Sequence, residues 1–436
     1  EEAPGRLKMD KLSIQPASQP LFNATAGLLG GSAHPWTNII LCGMLAYPAL
    51  VSLLRFQRKE CMRKQFNYPT RESLANMTDD DAFKIQKTIA EQEFPFMFRL
   101  SLGFALFKTY GIPTISKTLV KTTELSDPDK AAKRYADTGA LINEFIRHAP
   151  SHTRSVESIA RMNYLHQGYQ ISGKILDDDM LYTLALFATE PIKWIDTYEW
   201  RRLSDLEKCA IGTFWKRIGD AMLISYSKLP SSKTGFRDGL HWLSEIIEWS
   251  EAYETDNMVP AQTNRDTAEP TTDIMMYSLP GFLKPFSLQV TTVLMDERLR
   301  TAIMYPPAPR YVHILVSSVL KCRKLVLRYL ALPRPFFLRV VPISAEPTKE
   351  GRIFFELWSG QPYYVKPSFW NRWGRAAWWS WALGHPVPGD KPEKYYAQGY
   401  LISDVGPKIF ENKGRAEMQK TNERLQERSR TGQCPF

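Results

Sequence analysis

Apolar residues follow two regimes along this chain. The first is a single unbroken run: residues 36–54, from Trp36 to Leu54, carry no formal charge and end on Arg55, Arg58, Lys59, Arg63 and Lys64. A helix rises about 1.5 Å per residue and a hydrocarbon core is about 30 Å thick, so the run is predicted to cross a membrane once with little tilt. A buried core helix is the alternative. A cleaved signal peptide fits poorly, because the run is long, is preceded by about 35 mostly polar residues and carries its positive flank on the wrong side. That flank predicts a lumenal N-terminus and a cytosolic remainder, since lysine and arginine stay on the cytosolic side.

The second regime begins at residue 79. Apolar residues recur at three- and four-residue spacing over 79–91, 94–109, 129–148, 152–167, 178–189, 203–228, 236–254, 286–304 and 311–331, separated by short joints containing Pro, Gly or Ser. Pro69-Thr70-Arg71-Glu72 and Met77-Thr78-Asp79-Asp80-Asp81 read as helix starts. The pattern breaks only over 336–366, which is read as a small hairpin or extended lid. Residues 256–272 read as a polar loop, and the last twenty as a solvated tail. The predicted fold is all-α: one N-terminal transmembrane helix, then a large helical domain. Its parts are a lumenal segment (1–35), the span (36–54), a basic juxtamembrane linker (55–78), a cytosolic helical catalytic domain (79–414) and a charged tail (415–436).

Composition narrows the partners. The chain has 436 residues and a formal charge of +10, but its basic residues are dispersed, so an anionic leaflet is a simpler partner than nucleic acid. Cys42, Cys61, Cys209, Cys322 and Cys434 lack metal-site or disulfide spacing and read as reduced, buried thiols. Asn23-Ala24-Thr25 is a glycosylation sequon on the predicted lumenal side, whereas Asn76 of the second sequon is expected to stay unmodified in the cytosol. The chain opens on Glu1 rather than Met, so a start further upstream is expected.

Candidate chemistry concentrates on two predicted helices. In the first, Leu141, Ile142 and Phe145 form an apolar face that runs back through Thr138 to Arg134, with Asp137 beside them. A guanidinium there needs an anion, either Asp137 in an internal ion pair or a bound ligand. In the second, His166 shares a face with Val156, Ile159 and Asn163. It is either a satisfied core histidine or a ligand in a cavity between helices. One inward histidine with one inward arginine suits haem better than zinc, which needs at least three protein ligands.

Other candidates are weaker. His148 and His152 have metal-pair spacing, but Pro150 lies between them. Asp177-Asp178-Asp179 reads as a helix start rather than a metal cluster. HExxH, GxSxG, GxGxxG and Walker A patterns are absent, and Cys209 lacks the glycine-rich surround of a thiolate-ligated monooxygenase. The stretch Trp370–Trp381 holds five of the twelve tryptophans beside Arg372 and Arg375, and reads equally as a monotopic membrane contact or a buried aromatic cluster. His385, in Gly384-His385-Pro386-Val387-Pro388-Gly389-Asp390, is the second candidate ligand.

Two strings carry a family likeness. Arg134-Tyr135-Ala136-Asp137-Thr138 and Arg161-Met162-Asn163-Tyr164-Leu165-His166-Gln167-Gly168-Tyr169 resemble the motif region of a family that joins the bacterial latex-clearing rubber oxygenases to the fungal ER-bound oxygenase of mycophenolic acid biosynthesis. Glu93–Phe98, Phe104–Ser116, Ser172–Asp177, Cys209–Lys216, Phe369–Gly374 and Gly384–Asp390 resemble the fungal branch, so the likeness covers roughly residues 45–436. It implies a globin-related, haem-oxygenase-like helical domain with haem b, and oxidative cleavage of a carbon–carbon double bond in the prenyl chain of a lipophilic meroterpenoid-like intermediate at the ER membrane. Residue by residue, it implies that His166 is the proximal haem ligand and that Arg134 and Thr138 lie near the haem. Asp137 stands where the rubber oxygenases carry a distal lysine ligand. It is taken as a candidate catalytic residue, with non-haem iron as the alternative cofactor. A non-catalytic membrane scaffold or lipid carrier is the alternative function.

Overall fold

The computed structural model describes residues 35–125, 127–358 and 360–430, so Asn23, Cys434 and the segment 1–34 lie outside the described residues. The apolar run forms the first half of one continuous helix, α1 (Pro35–Phe66), which is long and apolar enough to cross a membrane. Its second half is not a free linker. Arg55 and Met62 are buried there against the domain, and the chain leaves the helix only at Asn67, through a left-handed residue.

The domain is helical throughout its core. Helix α2 (Asp79–Thr88) starts on Thr78, whose side chain accepts the Asp81 N–H, and runs into one π-turn (Ile89–Glu93). Next come α3 (Pro95–Thr109), α4 (Pro113–Thr122), α5 (Pro128–Arg147), α6 (Thr153–Ile171), α7 (Asp177–Tyr198) and α8 (Asp205–Ala221). Pro at the first position of α3, α4 and α5 fits helix starts, because its missing N–H has no intrahelical partner there. Helix α9 (Gly239–Asn257) crosses α8 where Gly212 meets Gly239; a Cβ on Gly212 would lie 2.3 Å from the Gly239 carbonyl oxygen, so no side chain fits. The core gathers Trp200, Trp215 and Trp242, with Phe187 stacked on Trp215 at 5.3 Å. A charged cluster is built into it: Lys108 Nζ sits 2.7 Å from Glu254, 3.0 Å from Asp296 and 3.5 Å from Glu190.

The polar loop expected over 256–272 is instead largely helical, as α10 (Gln262–Met275). Its buried stripe is Asn264, Thr267, Ala268, Thr271 and Thr272, which has helical spacing but is made of small polar residues. Asn264 Nδ2 donates to the carbonyls of Gly111, Val259 and Ala302 and so replaces hydrophobic contact as the anchor. Beyond it lie α11 (Lys284–Leu294), α12 (Glu297–Ala302) and α13 (Arg310–Tyr329), the last packed along α1.

Residues 339–410 cross the outer flank of α5 and α6 as irregular chain. Among the described residues this stretch holds isolated bridges, such as Ile343 with Phe355 and Ile353 with Tyr400, rather than a hairpin. It includes α14 (Phe369–Trp373), α15 (Arg375–Ala382) and α16 (Pro392–Tyr395). The tryptophans here are not a buried cluster, since Trp370, Trp373, Trp378 and Trp379 are exposed. The expected solvated tail is another helix, α17 (Arg415–Arg430), which packs on α6 and buries Met418 and Leu425.

Candidate functional site

Helices α5 and α6 each have two working flanks. On α5, Arg134, Thr138, Leu141, Ile142 and Phe145 fall on one side, and Lys133, Asp137 and Glu144 on the other. The first side opens on a cavity of about 250 Å³, closed by residues of α3, α4, α6, α7 and α8 and by Pro407 and Phe410. Its wall is mostly Leu, Ile, Met and aromatic side chains.

The polar minority of that wall comprises Arg134, His166, Glu124, Lys174, Asp179 and several threonines. Arg134 Nη1 donates to Thr138 Oγ1 at 2.7 Å, and the Thr138 hydroxyl donates to the Arg134 carbonyl at 2.9 Å. This pins the guanidinium, yet among the described residues no carboxylate forms a salt bridge with it. His166 comes from α6, and its Nδ1 is buried without a hydrogen-bond partner. Burial first, and the Arg134 charge second, push its pKa down to about 4, so the imidazole is neutral near pH 7. Tyr110 closes the α3 side; its hydroxyl faces Thr271 without a hydrogen bond of normal geometry, and burial raises its pKa to about 12. On its α5 and α6 walls the cavity therefore offers a ligand one neutral imidazole and one guanidinium that, among the described residues, has no salt-bridged carboxylate.

No family model matches the chain. It is 51% identical over 426 residues to the ER-bound oxygenase mpaB' of Penicillium brevicompactum, covering 98% of this chain and 99% of that protein. The ER-bound oxygenase mpaB of the same organism is 47% identical over 389 residues, 89% of this chain and 93% of the relative. That of Penicillium roqueforti (strain FM164) is 52% identical over 286 residues, 66% of this chain and 96% of the relative. This chain belongs to the ER-bound oxygenase mpaB family.

An mpaB-family chain is an oxygenase with a membrane association, and α1 supplies a helix fit for the anchor. The structure sorts the remaining candidates within it. Asp137 does not pair with Arg134 and does not line the cavity. It is buried on the other flank of α5, where it accepts Lys133 Nζ at 2.9 Å and the Tyr364 hydroxyl at 2.6 Å. The reason is helical phase: position 137 lies on the Lys133 and Glu144 side, not on the stripe of Arg134, Thr138 and Leu141. His385 stacks on Tyr277 at 4.1 Å, away from the cavity lining. The rings of His148 and His152 do meet, at 4.7 Å, but among the described residues no group of three or more His, Cys, Asp or Glu is placed to hold a metal. Asp177, Asp178 and Asp179 fill the first turn of α7.

A second set of residues in this mpaB-family chain escaped the sequence reading. Arg161 is fully buried and donates to three carbonyls, Val405 at 2.8 Å and Phe410 and Lys413 at 2.9 Å. Arg154 forks onto Glu144 at 2.7 and 3.0 Å and reaches the carbonyls of Ser344 and Ala345, while Tyr400 donates to Glu144 at 2.6 Å. Lys133 also donates to the Gly406 carbonyl at 2.6 Å. Together they clamp residues 344–413 to α5 and α6, and through Pro407 and Phe410 they fix one wall of the cavity.

Proposed function

We propose that the chain is a membrane-anchored oxygenase that uses O2 to cleave a carbon–carbon double bond in the prenyl chain of a lipophilic, meroterpenoid-like intermediate. We assign its large domain to the cytosolic face of the ER membrane and its cofactor as haem b. The observation that carries this reading is the pairing, inside one apolar cavity, of an unpartnered His166 Nδ1 with an Arg134 that has no carboxylate. A structural arginine normally has a carboxylate or a set of carbonyls, as Arg154 and Arg161 do, and a buried imidazole normally has a hydrogen bond.

That donor set fits haem, which asks the protein for one axial ligand, better than non-haem iron, which asks for several. His166 would hold the iron and Arg134 the anionic edge of the macrocycle. Haem bound there supplies an iron centre for activating O2. The remaining work belongs to the chain. Neutral His166 keeps a free lone pair on one ring nitrogen, and Thr138 holds the Arg134 guanidinium in one orientation. Leu106, Ile142, Leu165 and Leu184 supply an apolar wall that suits a prenyl chain and excludes water from the alkene.

The test is an absorption spectrum of detergent-purified protein expressed with haem supplied. A Soret band that disappears in His166→Ala, with helical circular dichroism kept, supports the reading. Full haem retention in that variant, or protein without haem that still turns over with bound non-haem iron, sinks the assignment. For the topology, added protease should digest the domain beyond residue 66 in intact microsomes; protection of that domain reverses it.

A further inference from the structure

Helix α13 is amphipathic in the wrong sense for a water-facing surface. Three of its five lysines and arginines turn inward: Arg323 Nη2 donates to the buried Glu199 at 2.8 Å, Lys324 Nζ reaches the Thr197 carbonyl at 3.5 Å, and the Arg328 guanidinium lies 5.9 Å from the Phe56 ring centroid, while Arg310 and Lys321 stay exposed. Its outward stripe is mostly apolar: Tyr311, Ile314, Leu315, Val319, Leu325 and Val326 are exposed, Ile314 at 68%, and share a helical face with the exposed Ser318 and Cys322. A helix facing water presents the opposite arrangement, and a contiguous exposed apolar stripe marks a surface that something covers.

What covers it follows from the end of the helix. Past Tyr329 the chain turns beside α1. The Tyr47 hydroxyl donates to the Leu330 carbonyl at 2.9 Å, Arg55 donates to the carbonyls of Ala331 at 2.9 Å and Leu332 at 3.4 Å, and Arg58 donates to that of Arg334. Val51 is completely buried in the same region. Tyr47 lies eight residues before Arg55, about 12 Å along the axis of α1, so Leu330 sits at a depth within the apolar run. Backbone that leaves helical geometry at membrane depth must have its polar groups satisfied by protein, and the side chains of α1 do this here. Beyond the turn, Phe336, Phe337 and Leu338 are exposed again, Phe337 at 79%. Phe282 and Phe286, at the start of α11 packed on α13, extend the apolar surface.

We infer that the outward face of α13, with the turn 330–338, is a second membrane-embedded element: it lies in the leaflet on the domain's side of the bilayer, continuous with the span. The occupant of the face is lipid acyl chain. The domain is thereby seated against the membrane in one orientation instead of swinging on a single tether. This inference stands on the anchor geometry and is independent of the catalytic reading.

The experiment uses the full chain in phosphatidylcholine nanodiscs, with the five native cysteines replaced by alanine and one nitroxide at Ile314→Cys, Val319→Cys or Phe337→Cys. Leu223→Cys, an exposed apolar position in the turn after α8, is the water-facing reference. Collisions with O2, which concentrates in lipid, are compared with those of a water-soluble nickel chelate. The expected result is an O2-to-nickel ratio several-fold higher at 314, 319 and 337 than at 223. Free access of the nickel chelate to the three positions overturns the inference. So does shielding from both reagents with spin–spin broadening, which means that a second copy of the chain covers the face. Unchanged melting temperatures confirm that the labelled proteins fold.

Discussion

The two flanks of α5 and α6 handle polar side chains in opposite ways. On the outer flank every strong group has a counterpart: Arg161 has three carbonyls, Glu144 has Arg154 and Tyr400, and Asp137 has Lys133 and Tyr364. On the cavity flank, among the described residues, Arg134 donates to a threonine hydroxyl alone and His166 Nδ1 has no partner. Both sets lie on the same two helices, the outer one buried and Arg134 and His166 half-buried, and the His166 Nδ1 is itself out of water, so exposure does not separate structure from function here. Satisfaction does. A group removed from water and left unpaired costs stability, which a fold retains where something else completes the site.

The comparison breaks if the outer flank proves dispensable. Glu144→Ala strands Arg154 in the interior and should cost on the order of 3–5 kcal/mol, read as a fall in melting temperature with release of 344–413 to protease. The double variant Glu144→Leu with Arg154→Met should recover much of that loss. A drop under about 1 kcal/mol in the single variant would mean that the clamp is not holding the C-terminal segment.

A double-mutant cycle sharpens the contrast at closer range. Asp137 lies next in sequence to both partners' turn of helix, but its contacts predict coupling with Lys133 of about 0.5–3 kcal/mol and with Arg134 below about 0.5 kcal/mol. Equal coupling in the two cycles would return Arg134 to a structural role. With no carboxylate to strand, Arg134→Met should change stability by no more than about 1 kcal/mol while abolishing oxygenase turnover. Retained turnover would remove Arg134 from the site.

How much of this was legible depended on what kind of residue does the holding. The span, the long helices and the inward stripe from Arg134 through Thr138 to Phe145 were visible because apolar periodicity reports burial directly. Helix α10 was not, since its packed stripe is Asn264, Thr267, Ala268, Thr271 and Thr272, and a polarity pattern reads such residues as solvent-facing. Nor was α17, whose two apolar contacts, Met418 and Leu425, are outnumbered by charge. At the site, spacing brought His166 and Arg134 together. It placed Asp137 beside Arg134 because i and i+3 residues neighbour one another on a helix, but they still sit about 60° apart, and Asp137 takes its i−4 neighbour Lys133 instead. Arg161 stood in plain sight in the string before His166, but its partners are carbonyls about 240 residues away and leave no sequence pattern.

Acid sensitivity carries the same sign on both flanks. Burial and the charge of Arg154 push the pKa of His148, on the clamp side, down to about 3, while burial and Arg134 take His166 to about 4. Each is neutral in the folded chain and has an ordinary pKa near 6.5 when unfolded. Below pH 6.5 the unfolded chain therefore binds protons that the native chain refuses. The stability tied to these histidines is complete above pH 6.5 and declines as the pH falls towards the folded values. His148→Gln removes one of the two sites, so the fall in melting temperature between pH 6.5 and pH 4 should be shallower than in the parent protein, with the two curves converging in slope above pH 7. The measurement is melting temperature against pH in detergent. Haem bound at His166 would silence that site's share, leaving His148 as the larger contributor in the loaded protein and the two histidines comparable in the haem-free one. Parallel curves for parent and His148→Gln in both preparations would show that His148 titrates normally, and that the clamp flank is open to water at the Glu144 end.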